Sequence, residues 1–85
     1  MNLLQLQYFK ALAEREHLGK TAEELRISAP SLSATIARLE RELDVRLFDR
    51  SGKHIRLNNF GRMYLEHVKN IFTSLDNAQK ELKDA

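Results

Sequence analysis

Ile27-Ser28-Ala29-Pro30-Ser31-Leu32-Ser33-Ala34-Thr35-Ile36-Ala37-Arg38-Leu39-Glu40-Arg41-Glu42-Leu43 is the stretch from which the fold can be read. Ser28 is a good N-cap, because its hydroxyl can accept one of the free N–H groups of a first helical turn. Pro30 falls in that first turn, where a missing N–H leaves no hydrogen bond unmade. Leu32, Ile36, Leu39 and Leu43 then step by four, three and four. That is one apolar stripe of a helix facing a core. Asp44-Val45 ends it.

On the N-terminal side, Leu6, Phe9, Leu12 and Ala13 recur at helical spacing and predict a first helix over about 3–14. A break is expected at Glu16-His17-Leu18-Gly19, with Gly19 as the cap of a short second helix from Lys20 to Leu25. Ile27 then lies in the turn and plugs the gap between helices two and three. On the C-terminal side the period changes. Arg46-Leu47-Phe48-Asp49 and His54-Ile55-Arg56-Leu57 alternate like strands, with Arg50-Ser51-Gly52-Lys53 between them as a turn. Asn58 caps a last helix running to about Lys83, roughly 35–40 Å long. A globule of the remaining residues is narrower than that, so the far half must project or find a partner. Tyr64, Val68, Ile71, Leu75, Ala78 and Leu82 alternate steps of four and three along it, a heptad seam suited to pairing with a second copy. Leu65 and Phe72 lie beside the seam and can pack back onto the first helix.

The expected architecture is mainly α: three short helices, a two-stranded hairpin wing and a long helix, that is, a winged helix-turn-helix. Residues 1–58 form the winged domain and 59–85 the linker and dimerisation helix. The turn between helices two and three is as brief as such a motif allows.

The chain has 85 residues, a formal net charge of +2, 42% hydrophobic and 31% charged residues, and no cysteine. This is the balance of one small folded domain, and it excludes disulfides and thiolate metal sites. No apolar run approaches the roughly 20 residues of a membrane span, and no basic-then-apolar secretory signal opens the chain. A cytoplasmic location is expected. The charge is uneven: Met1–Leu25 and Met63–Ala85 each carry −1, while Arg26–Arg62 carries +4. A concentrated basic centre is the footprint of polyanion contact.

In a helix-turn-helix the third helix enters the DNA major groove. Opposite its apolar stripe lie Pro30, Ala34, Ala37 and Arg41, flanked by Ser31, Ser33 and Arg38. Small side chains let the backbone approach base edges, and methyl groups can meet thymine methyls. Ser31, Ser33 and Thr35 add hydroxyls. The N-terminus around Ser28 and Ala29 directs free N–H groups at a phosphate. Arg38, Arg41, Arg50 and Lys53 can reach the backbone, setting affinity and register.

Catalysis has little support. His17, His54 and His67 have no metal-ligand spacing, no glycine-rich phosphate loop occurs, and Glu40, Glu42 and Asp44 read as a solvated helix end. No cofactor, metal or enzyme activity is expected. On the residues alone two other readings stay open: a winged-helix regulator of another class, complete at this length, and a helical protein-interaction module.

Leu6-Gln7-Tyr8-Phe9, Ala22-Glu23-Glu24-Leu25, Ile27 to Ser33, Ile36 to Leu43 and, most specifically, Val45-Arg46-Leu47-Phe48-Asp49-Arg50 resemble the N-terminal domain of LysR-type transcriptional regulators. Leu57-Asn58-Asn59-Phe60-Gly61 is similar to that family's Leu-Thr-x-Ala-Gly entry to the linker helix. The resemblance implies a bacterial transcription regulator whose last helix dimerises and whose third helix reads AT-rich, interrupted palindromes. It implies contacts at Pro30 and Ser33, and a minor-groove contact at Lys53. It also implies a larger effector-sensing part beyond Lys83-Asp84-Ala85 and a tetramer at full length. Departures stand at Ala29 (usually Gln), Ala34 (usually Arg), Thr35 (often Gln), Gly19 (usually a Thr cap) and Phe60 (usually small). Without the long side chains, base reading is expected to lean on thymine methyls and DNA shape.

Overall fold

The computed structural model describes residues 1–52 and 54–85. Six elements follow in order: α1 (Leu3–Arg15), α2 (Leu18–Leu25), α3 (Ala29–Leu43), β1 (Phe48–Ser51), β2 (His54–Leu57) and α4 (Asn59–Asp84). This is the expected winged helix-turn-helix.

The apolar stripes of α1 and α3 meet. Phe9 and Leu12 from α1 and Leu32, Ile36 and Leu39 from α3 are fully buried, with Ala22 of α2 closing one side. Leu47, Phe48 and Ile55 bring the wing root into the same core, and Val68 brings in α4. Phe9 sits edge-on to both Phe48 and Tyr64, with ring centroids 5.7 and 5.3 Å away. One aromatic ring of α1 therefore touches both the wing and the long helix, in the edge-to-face geometry that aromatic quadrupoles prefer.

Each of the first three helices stops in a left-handed residue: Glu16 (φ 53), Arg26 (φ 59) and Asp44 (φ 56). Such a residue turns the chain while its N–H still satisfies a terminal carbonyl. None is glycine, so that punctuation does not stand out by residue type.

Two local expectations are corrected. α2 begins at Leu18, not Lys20, and its cap is His17, not Gly19: the imidazole Nδ1 accepts the Lys20 N–H at 3.0 Å. Thr21 secures the same turn by donating its hydroxyl to the His17 carbonyl at 2.7 Å. The wing also begins later. Phe48 stands opposite Leu57 and Ser51 opposite His54, so Arg46 and Leu47 precede the ladder, and Arg50 and Ser51 lie in β1 rather than in the turn. Gly52, at φ 60, takes the left-handed conformation expected of it.

Asn58 joins the wing to α4. Its side-chain oxygen accepts the Gly61 N–H at 2.9 Å, capping the helix, and its amide donates to the Arg46 carbonyl at 2.9 Å. Gly61 is buried at this junction, where a Cβ would overlap the backbone carbonyl oxygen of Leu47 and Cδ1 of Leu57. α4 then runs about 39 Å. Every residue after Phe72 is exposed, so the helix leaves the globule and draws the molecule out to 51 Å against 26 and 19 Å.

A Gly61→Ala substitution forces the long helix away from Leu47. The expected loss of stability is roughly 1–3 kcal/mol, the usual range for overpacking, measured by urea denaturation followed by helical circular dichroism. An unchanged midpoint would mean that the junction yields without strain.

Candidate nucleic-acid interface

The recognition face is built on α3. Its start is the one expected: Ser28 accepts the Ser31 N–H at 3.1 Å, and its own hydroxyl donates to Ser31 Oγ at 2.8 Å. Ser28 is thus committed to the cap, and its hydroxyl pairs with that of Ser31. Thr35 donates its hydroxyl to the Ser31 carbonyl at 3.0 Å, so its hydrogen is spent within the helix. Pro30, Ser31, Ala34, Arg38 and Arg41 are exposed. Ala29 is half-buried against the core, and Ser33, Thr35 and Ala37 are half-buried as well.

Between α3 and the wing root lies an open groove of about 620 Å³. Ser33, Ala37 and Arg41 line its helical wall, and Arg46 and Arg50 its wing side. Arg50 donates to the Ser33 hydroxyl at 3.3 Å, tying β1 to the recognition helix. Three arginines, from α3, the loop that follows it and β1, thus border one concave surface. Lys53 lies outside the described residues.

Two residues of this region were missed in sequence. Arg46 was read only as part of a strand, although it lines the groove. Glu40 was read as solvated, but it is half-buried and accepts the backbone N–H groups of Leu47 at 2.7 Å and Phe48 at 3.4 Å. Nothing in the spacing of Glu40 announces an acceptor for a segment seven residues on, because that partnership exists only once the chain has turned back. Glu16 does the same for the other strand, accepting the Leu57 N–H at 2.8 Å.

The seam on α4 splits in two. Val68 is wholly buried in the core of its own chain and has no surface to offer a partner, which corrects its assignment to the pairing face. Tyr64 is half-buried against Phe9, and its hydroxyl pKa is raised by burial and by the nearby Glu42 carboxylate. Leu65 and Phe72 pack onto the core beside Val68. Ile71, Leu75, Ala78 and Leu82 are exposed, Leu82 to 78%, and Phe60 and Met63 extend the exposed apolar surface toward the start of the helix. Gly61, Leu65, Val68 and Phe72 therefore form the inward face, and the outward apolar stripe lies beside it.

Among the described residues, no group of three or more His, Asp or Glu could hold a metal ion, and no helix is long and apolar enough to cross a membrane.

A helix-turn-helix with a small-residue recognition face, flanked by arginines and a basic wing, defines a DNA-binding domain. Residues 3–62 match the profile of the bacterial regulatory helix-turn-helix protein, lysR family, and the chain belongs to that family. It is 40% identical over 84 residues to the transcriptional dual regulator GltC of Bacillus subtilis, covering 99% of this chain and 28% of that protein. The fold superposes on the CbnR DNA-binding domain, solved as a DNA complex, with a TM-score of 0.89 at 30% identity over 99% of this chain and 97% of that one. It is equally similar to the BenM DNA-binding domain in complex with benA site 1 DNA: TM-score 0.91, 28% identity, 99% and 98% covered. The chain spans about a quarter of the length of most of the curated relatives it matches. The family is one of transcriptional regulators, not of enzymes.

Proposed function

We propose that this domain binds operator DNA as a homodimer, with α3 in the major groove and the wing against the backbone and minor groove. The observation that carries this reading is the exposed face of Pro30, Ser31 and Ala34, flanked by Arg38, Arg41 and Arg50. The small side chains let the helix backbone sit close to base edges, and the arginines meet phosphates on either side. Complexes of the CbnR and BenM domains with DNA support the reading. The protein acts in the cytoplasm, on the nucleoid when bound.

Ile71, Leu75, Ala78 and Leu82 are the residues of α4 that meet the second copy, with Tyr64 at the edge of the contact. An apolar stripe on a helix that has already left its own globule is left without a partner inside the chain. At full length a part beyond the helix senses an effector and assembles dimers into tetramers. The preferred site is an AT-rich interrupted palindrome, whose two halves mirror the symmetry of the pair.

Fluorescence anisotropy against a panel of interrupted T…A palindromes and a random duplex, at several salt concentrations, tests the reading. Preferred palindromes should bind tighter than the random duplex, with log affinity falling by about 0.9 per displaced counterion against log salt. Weak, indifferent binding with a shallow slope would favour a protein-interaction module. Replacing Arg38 by Ala should lower affinity evenly across sequences and make the slope shallower by about 1. Ala34→Arg should instead change the ranking of half-sites, by about 1–3 kcal/mol at the base it meets; an unaltered ranking across an operator library would remove Ala34 from the reading face. Leu75→Glu should turn the dimer into a monomer in sedimentation equilibrium and reduce operator affinity with it.

A further inference from the structure

We propose that Glu40 is a positioning residue: by holding the first residues of the wing, it sets the angle between wing and recognition helix at which both meet DNA. The proposal rests on the DNA-binding reading above and assigns a role within it.

The strand pairing leaves a vacancy that Glu40 fills. Extending the register beyond Phe48 and Leu57 sets Leu47 opposite Asn58. The Asn58 N–H does donate to the Leu47 carbonyl, at 3.0 Å. The return bond is missing: the Asn58 carbonyl is turned into the first turn of α4, where it accepts the Arg62 N–H at 2.9 Å. Leu47 N–H, on a residue whose side chain is buried, must find another acceptor. Phe48 N–H needs one too, since it points away from the ladder. A single oxygen, Oε2 of Glu40, accepts both.

The contact is specific to α3. Ser33, which accepts from Arg50, and Glu40 lie seven residues apart and so on one face of the helix, about 10 Å apart along its axis. Two points of attachment fix an angle, whereas one leaves a pivot. Of the two, Glu40 is the stronger: its oxygen is half-buried and 2.7 Å from Leu47 N, while the Ser33–Arg50 bond is exposed and longer. Without Glu40, only the longer Arg50–Ser33 hydrogen bond ties the wing to the recognition helix, because the other polar anchors, Asn58 and Glu16 at the end of α1, do not belong to it.

Because one oxygen serves both N–H groups, glutamine can replace the carboxylate, while alanine cannot, and aspartate is a methylene short. Anisotropy titrations of native, E40Q, E40A and E40D proteins on the best palindrome, at four salt concentrations, read the consequence. E40Q should bind within threefold of native with the same salt slope. E40A and E40D should bind at least tenfold more weakly with a shallower slope, while circular dichroism shows native helicity. Replacing Arg50 by Ala should then weaken E40A less than it weakens the native protein. A native slope in E40A, or E40Q failing as badly as E40A, overturns the proposal. Residual dipolar couplings of the unbound proteins, comparing wing amides with α3 amides, give a readout that does not depend on DNA. One fixed orientation in native and E40Q, lost in E40A or E40D, is expected; the same orientation in all four overturns the role of Glu40. A native protein that binds none of the palindromes would count against the DNA-binding reading alone.

Discussion

The peptide groups of Leu47 are where the three working parts of the domain meet. Its N–H goes to Glu40 of the recognition helix, and its carbonyl accepts from Asn58, the cap of the long helix. Its side chain is in the core, and Gly61 packs against its carbonyl oxygen. Buried peptide groups must be paired, each orphan losing on the order of 1–3 kcal/mol. The chain could satisfy them by continuing the hairpin ladder. Instead only the bond from Asn58 N–H to the Leu47 carbonyl continues it, and the Leu47 N–H turns to Glu40. Recognition helix, wing and long helix are thereby tied to one another through polar contacts of defined length, rather than through apolar contact alone, which constrains distance better than angle.

The architecture was legible because each element carries its own local signal. The stripe of Leu32, Ile36 and Leu39, the Ser28 cap, the Asn58 cap and the left-handed Gly52 all act within a few residues of themselves, and sequence spacing reports such effects directly. What could not be read was long-range. Glu40 and Glu16 look like ordinary surface carboxylates, since nothing nearby reveals that Leu47 and Leu57 will present them with unpaired N–H groups. Val68 fits a heptad seam and a core face equally well, because two faces of one helix lie within a turn of each other. Only the position of α1 decides which takes it. His17 escaped for a chemical reason: imidazole caps a helix only as a neutral acceptor, so residue type alone does not mark it.

The site divides along the same line. Arginines and small residues are placed by helical periodicity, so the exposed face of α3 follows from counting. Hydroxyl commitments do not. Ser31, Ser33 and Thr35 look like three interchangeable hydroxyls in the sequence, but Ser31 pairs with the Ser28 cap, Ser33 accepts from Arg50 and Thr35 bonds back to the helix. Each of these hydroxyls already has a partner within the chain, so the polar reading capacity of this face is narrower than its composition.

That narrowness bears on how such a face discriminates. A recognition helix bearing Ala29, Ala34 and Ala37 presents few long donors, and the basic side chains beside that face are arginines. Affinity of this kind is electrostatic and falls with salt. Its direction comes from the uneven charge: the segment 26–62 carries +4, while the chain on either side carries −1. The acidic ends are α1 with α2 and most of α4, so the field itself turns the basic centre toward a polyanion and the long helix away from it. Discrimination then depends on how closely the helix approaches and how well the wing follows the groove beside it, which are questions of angle rather than of contact number. A domain whose readers are short is therefore one in which the fixed geometry between α3 and the wing matters most, because no long side chain is there to reach across a misalignment.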